Sequence, residues 1–165
     1  MKNKGFTLVE LIVAIGLSAL FLPAIIYVYS FSLRSASQGE GYTQGYALAQ
    51  EQMEAIYFLK KNSPDWDWTD SSINTNSIEY YQLQNGAGGW ILGSKIPKTT
   101  LPSEADGYPG YTAIVEVLEV RRDIGSIVES GVLIDDLTRK IVITVSWKEN
   151  GVPVDIDLIS YVSKH

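Results

Sequence analysis

"KNKGFTLVELIVAIG", residues 2–16, decides how this chain is read. Two lysines and a glycine give way to a long apolar run, and inside that run stands a carboxylate, Glu10. From Phe6 to Phe31 there are 26 residues with no lysine, arginine or aspartate. A helix of that length reaches roughly 39 Å, enough to cross a bilayer core of about 30 Å. The run exceeds the apolar region of an ordinary secretory signal, about 7–15 residues. A small-residue stretch, Ser35-Ala36-Ser37, nevertheless offers a signal-peptidase-like site. Lys2 and Lys4 precede the run and Arg34 follows it, so the positive-inside tendency keeps the N-terminus cytoplasmic and exports the rest.

Glu10 has two readings. A charge at the centre of a membrane helix costs about 2.5–3.5 kcal/mol on insertion scales. Near the helix start the cost is smaller, because an anion there meets unpaired N–H groups and the positive end of the helix dipole. On the first reading Glu10 sits at headgroup level and is tolerated. On the second it awaits a cation at the same depth, which this chain does not supply once its helix is inserted. The partner is then the amino terminus of another copy or of a relative.

The residues "KGFTLVELIVAIG" resemble the class III leader and N-terminal segment shared by type IV pilins and the pseudopilins of secretion systems. The resemblance implies cleavage by prepilin peptidase between Gly5 and Phe6 and N-methylation of Phe6. It also implies that Glu10 pairs with the N-terminal amine of a neighbouring subunit during assembly, a buried polar contact that sets register at a cost in stability. Cutting before the apolar run leaves the helix on the mature chain, with 11 basic against 19 acidic side chains. The implied partners are other pilin or pseudopilin subunits, prepilin peptidase, an inner-membrane assembly platform and the membrane. The implied location is a single-pass membrane protein that passes into a periplasmic or extracellular filament. Many major pilins carry their helix proline further along than Pro23 stands here. Pro23 and Gly16 are both points where the helix is expected to bend.

Four segments follow: a leader at 1–5, a membrane and assembly helix at 6–33, an amphipathic continuation at 34–61 and a head at 62–165. In the continuation, Tyr42, Tyr46, Ala49, Met53 and Ile56 recur at helical spacing as one stripe that needs a sheet to lie against. Gly39, Gly41 and Gly45 weaken the helix there by about 0.5–1 kcal/mol each, which suits a flexible neck. Lys60 and Lys61 favour a helix end. "ALAQEQMEAI" resembles the V and I subgroup of minor pilins and pseudopilins.

In the head, "IEYYQL" (78–83) and "GWIL" (89–92) read as short strands and "YTAIVEVLEVRRD" (111–123) as a long one. "RKIVITVSWKENGVPVDIDLISYV" (139–162) reads as a hairpin turned at "KENG". Ile141, Ile143, Val145 and Trp147 face inward with Val154, Ile156, Leu158, Ser160 and Val162. This hairpin also resembles the V and I subgroup. The fold class is α+β, with a long N-terminal helix packed on a C-terminal antiparallel sheet.

From Asn62 onward 8 basic and 15 acidic side chains leave the head at −7, which excludes a nucleic-acid-binding surface of ordinary type. There is no cysteine, and the single histidine is His165, so thiolate metal sites, disulfides and a Ser-His-Asp triad are not expected. No cofactor is expected. In "SPDWDWTD" (63–70), Asp65, Asp67 and Asp70 could offer oxygens to calcium, and turn chemistry explains the same residues. Trp66 and Trp68 serve either as anchors or as a ligand platform. Three functions remain. They are a filament subunit, a membrane-anchored surface-binding module using that tryptophan loop, and an anchored hydrolase using Asp155 and Asp157, which the strand pattern places on the solvated face.

Overall fold

The computed structural model describes residues 7–62, 79–86, 89–123, 126–128 and 133–163. Among the described residues one helix, α1 (Leu8–Asn62), precedes nine strands. The chain divides into two compact units, Met1–Gly41 and Tyr42–His165. The second is the head.

The head is built on three long strands. β6 (Tyr108–Asp123) pairs antiparallel with β8 (Leu133–Glu149), and β8 with β9 (Val152–Ser163). Two-residue β5 (Glu104–Ala105) and three-residue β7 (Ser126–Val128) extend the far edge of β6. Between those two, Tyr81 bridges Val115 through two backbone hydrogen bonds of 2.8 Å. Small pairs complete the unit: β1 (Glu79–Tyr80) with β4 (Ile96–Pro97), and β2 (Leu83–Gly86) with β3 (Gly89–Leu92).

The β8–β9 hairpin closes at Asn150-Gly151, both at positive φ (50° and 82°). These are the angles of a type I′ turn, whose twist matches that of the strands it joins. The register that follows places Val145 opposite Ile156 and Ile143 opposite Leu158. Inward-facing Ile141, Ile143 and Val145 are fully buried, as the alternation predicts, and Asp155 and Asp157 are exposed on the other face. Val142 departs from the pattern: it faces outward and is still buried.

The helix stripe is shifted from its expected course. Ala49, Met53 and Ile56 are buried, joined by Gly45, Leu48, Gln52 and Ala55, whereas Tyr46 is 52% exposed and Tyr42 43%. The cause is Trp147. A Cβ on Gly45 would come within 2.9 Å of its ring, so only a glycine lets the helix approach this closely. Tyr42 meets the same indole edge-on at 5.3 Å, and Tyr111 lies against it at 5.5 Å. Gly45 is therefore a contact surface as well as a weak helix former. Two polar links flank the apolar seam. Tyr108 donates from its hydroxyl to Glu51 Oε2 at 3.0 Å, and Tyr57 and Ser160 share a hydrogen bond of 2.7 Å. The Glu51 carboxylate raises the Tyr108 phenol above its ordinary pKa, with burial adding to the rise.

At its far end the β6–β8 ladder slips. Glu119 pairs with Arg139 and Val120 with Asp135, leaving 136–138 of β8 unmatched on β6. Asp135 staples this bulge. It accepts from Arg122 Nε at 2.6 Å, from the Leu137 N–H at 2.9 Å and from the Thr138 hydroxyl. The Thr138 hydroxyl, then Arg122 and the Leu137 amide, hold its carboxyl at a pKa of about 2 against the raising effect of burial.

Two measurements check this account. Gly45→Ala destabilises the head by about 1 kcal/mol in urea titration of the micellar protein, because the clash with a packed ring outweighs the gain in helix propensity. Gly39→Ala, where a Cβ meets nothing within 4 Å, raises helix stability by up to about 1 kcal/mol. Since the folded pKa of Asp135 lies below the ordinary carboxylate value, its stabilisation is complete above pH ~4 and is lost as pH falls toward 2. Asp135→Asn lowers stability at neutral pH and removes that part of the acid slope.

Candidate assembly site

The first unit begins with a helix start. Thr7 is the N-cap and Glu10 stands three residues on, the S/T-x-x-E pattern of a capping box. The Glu10 N–H donates to Thr7 Oγ1 at 3.3 Å, and the Thr7 N–H donates back to Glu10 Oε2 at 2.9 Å. The Thr7 hydroxyl also donates to Oε2, at 3.0 Å. The Leu11 N–H then closes the first turn by donating to the Thr7 carbonyl at 3.2 Å. Glu10 is thus held on the first turn by its own chain, where the helix dipole favours an anion.

Around this box the helix is apolar on every side. Each large apolar side chain from Leu8 to Leu33 is 50% or more exposed. The most apolar window has a mean hydropathy of 2.5 and buries nothing against the rest of the protein, which separates it from a core helix. Within it the Ser18 hydroxyl donates to the Ala14 carbonyl at 2.8 Å. After Glu10 the next basic residue is Arg34, roughly 36 Å further along a helix.

The expected site residues are placed unevenly. Gly5 and Phe6 lie outside the described residues, as do Lys2 and Lys4. Gly16 and Pro23 both stand inside α1, and a Cβ on Gly16 meets nothing within 4 Å. Asp65, Trp66, Asp67, Trp68, Asp70 and His165 also lie outside the described residues. Asp155 and Asp157 are exposed on β9, where Asp157 accepts from the Thr144 hydroxyl at 2.7 Å. Among the described residues no group of three His, Cys, Asp or Glu could hold a metal ion. Thr7 was overlooked in the reading of the sequence, although the T-x-x-E spacing at the head of an apolar run announces it.

The fold and the site together define a protein with an apolar N-terminal helix, consistent with membrane anchoring, whose later turns pack on an antiparallel sheet in a pilin-like α+β layout. Residues 1–22 match the family model of the prokaryotic N-terminal methylation motif. The match supports a type IV pilin-like protein, a substrate of prepilin peptidase, and it points to a structural rather than a catalytic role. Neither the curated proteins nor the solved structures contain a match to the chain.

The capping box makes its own prediction. Thr7→Val removes the hydroxyl, and a lost N-cap costs about 1 kcal/mol, so amide exchange at Glu10 and Leu11 in micelles accelerates roughly five-fold. Exchange beyond Ser18 stays as it was.

Proposed function

We propose that this chain is a minor pilin or pseudopilin, a structural subunit of a type IV pilus or of a type II secretion-like filament. Prepilin peptidase cuts between Gly5 and Phe6, Phe6 is N-methylated, and the subunit waits in the membrane as a single-pass protein with its head exported. An inner-membrane platform then drives its assembly. The observation that carries this reading is Glu10, a carboxylate at the start of a helix otherwise apolar on all sides, in a segment that matches the methylation motif.

Cleavage creates the missing cation. Removing 1–5 turns the Phe6 nitrogen into a free amine one residue before the N-cap, at the depth where a neighbour's Glu10 stands. In hydrocarbon an unpaired charge is costly, so pairing the amine of one subunit with the carboxylate of the next favours one axial register over others. The capping box supports the carboxylate while it has no such partner. Gly16 and Pro23 give the helix two places to bend or unwind as it packs among its neighbours.

The test is Glu10→Ala in the native host. The variant inserts and is cleaved, and mass spectrometry finds Met1–Gly5 lost and a methyl group on Phe6. Its incorporation into sheared filaments falls by about a hundred-fold, as for roughly 3 kcal/mol of a broken buried pair. Normal incorporation rejects the pairing, and an intact Met1 rejects processing.

A further inference from the structure

On the head, a cleft of about 300 Å³ opens between α1, β5, β6 and the β2–β3 hairpin, and the filament reading makes no use of it. That volume is at the lower end of the range for small-molecule sites. Its floor is Gln52, on the helix. This side chain is 4% exposed, and its amide has no hydrogen-bond partner among the described residues. An amide that lines a cleft can give a ligand the hydrogen bonds that water otherwise fills.

The walls are held in place. Gln82 donates from Nε2 to the Ser103 carbonyl at 2.9 Å and accepts from the Ser103 N–H at 3.3 Å, so both ends of its amide are committed. Its own carbonyl accepts from the Gly93 N–H at 2.9 Å, and a Cβ on Gly93 would come within 2.7 Å of that oxygen. Gln84 and Asn85 line the cleft from β2, and Trp90 does so from β3, directly across the ladder from Asn85. Glu104 and Asp106 stand exposed on the side formed by β5 and its turn.

We propose that this cleft binds a neutral sugar unit, free or at the exposed end of a glycan. Side-chain amides carry two donors and an acceptor each, which matches the mixed donor and acceptor hydroxyls of a pyranose. The half-buried indole of Trp90 offers an apolar face for the ring's C–H side. Among the described residues no lysine, arginine or histidine lines the cleft, and two carboxylates do, a lining that repels phosphate, sulfate and acidic sugars. A metal ligand is disfavoured as well, since among the described residues no cluster of three suitable side chains forms. The inference stands on the head alone and does not depend on Glu10 or on filament assembly.

The experiment uses the full chain in micelles of a detergent without a sugar headgroup. Saturation-transfer NMR is recorded with D-glucose, D-galactose, N-acetylglucosamine and maltose, with glucuronate and an unrelated tripeptide alongside. At least one neutral sugar binds with a Kd of about 10 mM or tighter. Gln52→Leu, which keeps the side chain's bulk against the core and removes its amide, weakens that binding at least ten-fold while the chain still folds. Gln84→Ala, on an exposed strand, weakens binding without affecting the melt, and Trp90→Phe retains more affinity than Trp90→Ala. Absence of transfer to every neutral sugar at about 50 mM overturns the proposal. So does preference for glucuronate or the tripeptide, or unchanged binding in Gln52→Leu.

Discussion

The contact on which the head depends is the approach of the helix at Gly45 to the indole of Trp147. Among the described residues a single helix covers one face of the sheet, and the covering is effective only if the two surfaces come close. A hydrogen in place of a side chain at Gly45 provides that closeness. Trp147 is then enclosed by Tyr42 and Tyr111, and Leu48, Ala49 and Ile56 reach the valine and isoleucine rows of β6 and β8. Each fully buried aliphatic side chain there contributes about 1.5–3 kcal/mol before entropy is counted. On the opposite face Asp155 and Asp157 stay exposed, while Glu116 is largely buried beside Lys98.

The same helix serves two solvents, and its composition changes accordingly. Through Leu33 it is apolar on all sides, so neither hydrophobic periodicity nor an internal partner distinguishes one face from another. After Gly41 it is one-sided, with small and aliphatic residues toward the sheet and Tyr46, Gln50 and Glu54 exposed. The first pattern suits lipid or the flanks of similar helices, and the second suits a single sheet.

Much of this was legible in the chain itself. The apolar run, the class III leader and the β8–β9 hairpin all follow from local rules: length for the first, a specific string for the second, strict alternation and an Asn-Gly turn for the third. What escaped depends on partners distant in sequence. A search for apolar stripes counts neither glycine nor glutamine, so Gly45 and Gln52 were invisible although both face inward. Tyr46 was counted because it is aromatic, and it points to solvent. Tyr80 and Tyr81 are core residues only because Tyr81 bridges a strand thirty-four positions away. The bulge at Asp135 leaves no trace in the alternation, since the strand resumes its phase at Arg139 by side-chain bonding rather than by pattern.

The two positive φ angles at Asn150 and Gly151 have a wider consequence. Side chains alternate with a period of two, so a one-residue slip in the hairpin would carry the whole inward row to the solvent face. By admitting only one two-residue loop, the turn makes such a slip unavailable and fixes which letters of β9 the core reads. The remaining letters are then free to drift. A lineage could rewrite Asp155, Asp157, Ile159 and Tyr161 to suit new surroundings while the fold beneath them stays the same.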